Sequence, residues 1–147
     1  MLTKTLNPQD KDVIEPLIAQ ARCSIRDRIV VGGTRSAELM FELHRRGYLR
    51  VATTASSVVA SGEYNVALMD WRARSIKTLG STLHWLLGSL DQDGIVVVWV
   101  DSSDPLAGKV RSVLRKCGLT VEAGAVRDNG TVVSACCREP RWRPRPL

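Results

Sequence analysis

Residues 63–139 read EYNVALMDWRARSIKTLGSTLHWLLGSLDQDGIVVVWVDSSDPLAGKVRSVLRKCGLTVEAGAVRDNGTVVSACCRE, and the order of elements in this stretch decides the fold. Asn65 to Met69 is an apolar run of strand length. Leu79, Leu83, Leu86, Leu87 and Leu90 then recur at i, i+4, i+7 and later positions, the rhythm of a helix with one buried face. Gly80 and Gly88 weaken that helix by about 1 kcal/mol each relative to alanine where they lie in exposed turns. Asp93 and Gly94 precede Ile95 to Val100, the most apolar segment of the chain, which belongs at the centre of a sheet. Asp104 and Pro105 form a cap and first turn for a helix with Leu106, Val110, Val113, Leu114 and Cys117 on its buried stripe, and Gly118 ends it. Two closing strands, Thr120 to Val126 and Thr131 to Cys137, are joined through Arg127, Asp128, Asn129 and Gly130, where Asn-Gly supplies the positive φ of a tight hairpin.

Outward from this stretch, Asn7 and Pro8 mark the start of a front helix carrying Val13, Ile14, Leu17, Ile18 and Ala21 at helical spacing. Pro16 either kinks it or restarts it near Glu15. Ile29, Val30 and Val31 run into Gly32 and Gly33 as a buried parallel strand would. A helix follows from Ser36 to Arg46, with Met40 and Leu43 on one face and Gly47 at its end. Leu49 to Thr54 is a second strand, and residues 56–62 form a connector of small residues. Strands alternating with helices run parallel through right-handed crossovers, and the hairpin adds one antiparallel strand. The expectation is a three-layer α/β sandwich around a mostly parallel sheet of about six strands, reversed once near the C-terminus. Its organisation would be residues 1–27 as a helical segment packed on the domain, 28–139 as the domain, and 140–147 as a basic Arg/Pro tail.

Composition bounds the chemistry. With 147 residues, 44% of them hydrophobic and 24% charged, the chain fits a single domain able to bury a core without staples. No apolar run reaches the ~20 residues of a membrane span, and residues 1–11 are too polar for a signal peptide. Cys23, Cys117, Cys136 and Cys137 lie in or beside helices and strands rather than in a disulfide framework, so a reducing, cytoplasmic setting is expected. With His44 and His84 the only histidines, their spacing suggests neither a zinc site nor a hydrolase triad. The net charge is +6, and Arg138, Arg141, Arg143 and Arg145 against Glu139 place +3 of it in the last ten residues. Nucleic-acid contact is not expected except through this tail, which reads first as a solubilising terminus.

The order helix, glycine, strand, hairpin and strand after YNVALMDW and LDQDGIVVVWV, with LRKCGLTVEAG between, resembles the C-terminal half of class I S-adenosylmethionine-dependent methyltransferases. The resemblance spans residues 28–139 in element order and implies a Rossmann-like fold, with S-adenosylmethionine as the implied cofactor. It also implies that the first strand leads from an acidic residue into a GxGxG loop. The matching segment is Ile29 to Ser36, where Gly32 and Gly33 are kept, an apolar residue near Val30 stands for the acid, and the last glycine is absent. A cofactor loop and a plain glycine turn both fit these residues.

The resemblance further implies a carboxylate after the second strand to bind the ribose hydroxyls, but Val51 to Ser56 contain none. Two such charge-assisted bonds contribute roughly 3–6 kcal/mol, about a hundredfold to ten-thousandfold in affinity. The helix and strand that the family places before its fourth strand are also missing between Thr54 and Glu63. The second strand is left at the sheet edge, a place where pairing with a second copy as a homodimer is expected.

Strand ends in an open α/β sheet gather ligands, so the cofactor-binding candidates are Gly32, Gly33, Thr34, Arg35, Thr54, Asp70 and Trp71, with Asp101 to Ser103 on the same rim. Arg35 at a helix start suits an anion. Asp70 falls after the strand matching the family's fourth, where substrate and cofactor meet; the favoured reading of the residues is a cap of the next helix, with Trp71 packed against that helix rather than stacked on a ligand. No residue is identified as catalytic. The residues leave two function classes: a binding or regulatory relative with a degenerate cofactor site, and a small methyltransferase with weak cofactor affinity or one that works as part of an oligomer.

Overall fold

The computed structural model describes residues 8–53, 63–72, 74–101, 104–122, 124–127 and 130–137, and for 8–13, 104 and 127 the backbone only. Their order is α1 (Pro8–Ala21), β1 (Ile29–Gly33), α2 (Ser36–Arg45), β2 (Val51–Thr53), β3 (Tyr64–Asp70), α3 (Ile76–Leu87), β4 (Leu90–Val100), α4 (Asp104–Lys116), β5 (Thr120–Val121), β6 (Ala125–Arg127) and β7 (Gly130–Cys136). One seven-stranded sheet runs β2-β1-β3-β4-β7-β5, with β6 also paired to β7. The β1–β2, β1–β3 and β3–β4 pairs are parallel, and β7 is antiparallel to β4, β5 and β6. The architecture is the expected α/β sandwich with β7 as its reversed strand.

Alternation along the strands builds two cores. Val30, Ala67, Met69, Val96, Val98, Val133 and Ala135 pack beneath α3 and α4, against Leu79, Leu83, Leu86, Val110 and Leu114. Ile29, Val31, Val66, Leu68, Val97, Trp99 and Val132 pack on the other face against α1 and α2, through Ile14, Leu17, Leu39 and Leu43. The Ile95–Val100 segment lies at the sheet centre, between β3 and β7. α1 runs unbroken through Pro16. Its Gln20 amide donates to the buried Ser134 hydroxyl of β7 at 3.1 Å, and Arg46 pairs with both Glu15 of α1 and Glu42 of α2.

Several boundaries differ from the sequence reading for local reasons. Leu90 opens β4 rather than closing α3, because Ser89 ends the helix: its amide and hydroxyl both donate to the Leu86 carbonyl. The expected Thr120–Val126 strand is two strands. Val121 pairs with Ala135 and Ala125 with Val132, so the longer side holds one extra residue, a β-bulge. Gly124 sits at that bulge, where a Cβ would lie 2.2 Å from the Val132 carbonyl oxygen. The hairpin also closes differently. Arg127 pairs directly with Gly130, which is a strand residue and not one of the positive-φ glycines. Gly130 is required by contact instead, since a Cβ there would sit 2.6 Å from both Trp99 Nε1 and the Val100 oxygen. Asn7, the expected cap of α1, and the 138–147 tail lie outside the described residues.

Two glycine substitutions test this packing in opposite directions. Gly130→Ala should cost about 1–3 kcal/mol as an overpacked site. Gly108→Ala, in a helix interior with nothing within 4 Å of the added carbon, should stabilise by about 1 kcal/mol. Urea unfolding of both variants measures each change.

Candidate functional site

The C-terminal ends of β1, β3 and β4 form the rim at which the candidates converge. The register sets Gly32 beside Met69 and Gly33 beside Asp70. Gly33 has φ +89, and a Cβ on it would lie 2.2 Å from the Asp70 carbonyl oxygen. The tight approach that demands glycine here is therefore to the backbone of β3. Thr34 completes the join: its amide donates to the Asp70 carbonyl at 2.7 Å and its hydroxyl to the Arg72 carbonyl at 3.2 Å. Arg35 follows in the left-handed region, φ 57 and ψ 39, and its side chain does not cap α2. Gly32, Gly33, Thr34 and Arg35 thus form one turn bonded to the exit of β3.

Asp70 is 3% exposed, and its carboxylate is engaged by its near neighbour Arg72. The guanidinium Nε and Nη2 donate to Oδ1 and Oδ2, each at 3.0 Å, and the Arg72 amide adds a third bond at 3.2 Å. This is the planar two-point match that makes arginine–carboxylate pairs strong. The same guanidinium lies over the Trp99 indole, 5.4 Å from its centroid, where the ring's negative face attracts the cation. Asp70 does not cap α3. That cap is Ser75, whose hydroxyl accepts from the Lys77 amide at 3.1 Å.

Trp71 points to the opposite face, 1% exposed, in the core beneath α3 and α4. Its indole Nε1 donates to the Ser75 carbonyl at 2.9 Å, clasping the connector between β3 and α3. Arg74 covers the ring at 4.5 Å from its centroid, so a flat ligand reaches Trp71 only by displacing Arg74. Thr54, Ser102 and Ser103 lie outside the described residues, and Asp101 is exposed beyond β4. His44 and His84 are exposed on α2 and α3, away from the rim. Burial and the nearby Asp27 push the Cys23 thiol up to about 12, leaving it neutral and unreactive near pH 7. Among the described residues, no three His, Cys, Asp or Glu side chains gather to hold a metal, and no helix is long and apolar enough to cross a membrane.

Two residues of the rim escape a reading of the sequence. Arg72 carried a usable signal: at i+2 from Asp70 on a strand exit, it shares that residue's face. Trp99 is legible as a core residue of β4. Its role beneath the guanidinium depends on the parallel register that sets Asp70 opposite Trp99. The Trp99 Nε1 is buried and has no hydrogen-bond partner among the described residues.

The Asp70–Arg72 pair should reveal itself in a mutant cycle. Arg72→Met strands a buried carboxylate and should destabilise by about 2–4 kcal/mol. That is less than the roughly 3–5 kcal/mol of a fully buried pair, because the Arg72 side chain keeps 16% exposure. Asp70→Asn/Arg72→Met should recover a large part of the loss in urea unfolding.

The chain matches no protein-family model and no curated protein sequence. Solved structures do resemble it. A Burkholderia thailandensis 1,6-didemethyltoxoflavin-N1-methyltransferase, with its ligand and S-adenosylhomocysteine bound, superposes with a TM-score of 0.61 at 16% identity, over 87% of this chain and 79% of that one. A SAM-dependent methyltransferase from Aquifex aeolicus gives 0.61 at 11% identity, over 90% and 94%. A tRNA methyltransferase from the same organism gives 0.56 at 13% identity, over 94% and 72%. At these identities the likeness speaks for the backbone: the chain has a class I methyltransferase-like Rossmann fold.

Proposed function

We propose that this protein is a methyltransferase-like binding or regulatory subunit whose strand-end rim is a degenerate S-adenosylmethionine site. The observation that carries this reading is the Asp70–Arg72 pair. A carboxylate at the end of β3 contributes to a cofactor site through free acceptor oxygens, and here both oxygens accept from Arg72. The guanidinium also brings a positive charge to a rim that would have to receive a sulfonium cation, a like-charge contact that opposes binding.

Three further observations support the reading. Gly33 spends its lack of a side chain on the Asp70 carbonyl, so the glycine turn is explained without a ligand. Trp71 is committed to the core and to Ser75. The described residues of β2, Val51 to Thr53, include no acid to meet a ribose. A fold built for group transfer can be retained for recognition alone, because function resides in the site rather than in the scaffold.

Calorimetric titration with S-adenosylmethionine and S-adenosylhomocysteine tests the proposal. The expected result is no saturable heat up to millimolar ligand. Micromolar binding that weakens in Asp70→Asn would overturn it and assign the chain to a small methyltransferase. Gly33→Val is unsuitable as a control, since both its φ and the 2.2 Å approach to Asp70 would disturb the fold itself.

A further inference from the structure

Charge on this molecule is divided between its two helical layers. Residues 71–90 and 105–121, which include α3 and all of α4 after its first residue, Asp104, contain no Asp or Glu. They carry Lys77, Lys109, Arg111, Arg115 and Lys116 on those two helices. The acidic residues Asp10, Asp12, Glu15, Glu38 and Glu42 lie on α1 and α2, on the other side of the sheet. Beyond Asp104 at the start of α4, these two helices carry no carboxylate to pair with their lysines. The five cations outnumber that one acid, so the two helices carry a net positive charge.

Between α3 and α4 runs a groove of about 440 Å³ with Ile76, Gly80, Val113 and Cys117 as its floor and Lys77, Lys109 and Lys116 as its rim. Ile76, Val113 and Cys117 are partly buried against the core, and the three lysines are exposed. Gly80 helps keep the groove open: a Cβ there would already touch the Val113 side chain at 3.8 Å, so a larger side chain at this position would occupy the space between the helices.

We propose that this groove binds an acidic amphipathic helix of a partner protein. The inference goes beyond the proposed degenerate rim and stands whether or not that rim takes a nucleoside. Three features select the occupant. The apolar floor suits aliphatic anchors at i, i+3 and i+4, the way an amphipathic helix enters a groove. Lys109 and Lys116 are seven residues apart, about 10 Å along one face of α4, so the cations form a rail beside the floor rather than a cluster around one anionic headgroup. Acidic residues at i and i+7 on a docked helix would match that spacing. Among the described residues no aromatic ring lines the groove, and stacking platforms are what single-stranded nucleic acid requires.

The test uses the full chain and two synthetic helical peptides of about four turns, each labelled for fluorescence anisotropy. One carries a leucine stripe flanked by glutamates, and the other has the same charges with serine in place of leucine. The leucine peptide should bind at micromolar concentration and the serine peptide at least about tenfold more weakly. Lys109→Glu/Lys116→Glu should weaken the leucine peptide at least about tenfold. Gly80→Leu, which fills the groove and leaves every charge in place, should do the same, with circular dichroism confirming that both variants fold. Equal binding of the two peptides, or binding indifferent to Gly80→Leu, would overturn the proposal. So would a double-stranded RNA that binds more tightly than the leucine peptide and is lost with the lysines, or concentration-dependent self-association abolished by Lys109→Glu/Lys116→Glu, which would assign the groove to a second copy.

Discussion

A carboxylate held at 3% exposure by a two-point ion pair organises the strand-end rim of this molecule. Asp70 stands where β3 leaves the sheet, and almost every contact of the rim refers to its residue or the next two. The Asp70 carbonyl takes the Thr34 amide and forces glycine at position 33. Its side chain fixes Arg72 over Trp99, and Trp71 turns inward to clasp Ser75. Ionised groups so withdrawn from water are tolerable only when their partners are placed with this geometry. The rim is consequently a self-bonded surface, and a ligand entering it must break existing charge-assisted bonds before making its own.

Much of the fold was legible in the chain because its strands are continuous apolar runs, and such runs mark a sheet covered on both faces. Ile29 to Val31 and Ile95 to Val100 announced themselves in this way, as did the leucine rhythm of α3. The reversal at β7 was legible from two strands separated by a turn. Less legible were features fixed by tertiary contact. Gly130 looked like a turn glycine but is a strand residue pressed against Trp99 and Val100. The bulge at Gly124 left no periodic trace, since one extra residue shifts the alternation only locally.

The site was legible in position and not in state. Strand-end logic put Gly32, Gly33, Thr34, Arg35, Thr54, Asp70 and Trp71 at one rim; the register sets Gly32 and Gly33 beside Met69 and Asp70, while the Trp71 ring is buried in the core and Thr54 lies outside the described residues. What each side chain does there depends on partners two residues away on the same face or across the register. Arg72 changes the meaning of Asp70 from a free acceptor to a committed one, and Arg74 covers the ring of Trp71. The polarity of the two helical layers was hidden for a related reason: the net charge of +6 says nothing about which face holds the acids.

The most direct measurement of the central claim is hydrogen exchange of the Arg72 guanidinium in a ¹⁵N-labelled sample, with its Nε–H signal identified by its loss in Arg72→Lys. A guanidinium bonded to a buried carboxylate and lying over an indole should show an Nε–H that exchanges slowly, collapses to surface-like exchange in Asp70→Asn, and is unmoved by millimolar S-adenosylhomocysteine. An Arg72 signal that exchanges like a solvent-exposed arginine, or one that shifts as the nucleoside is added, would mean that the rim is open and contradict the account.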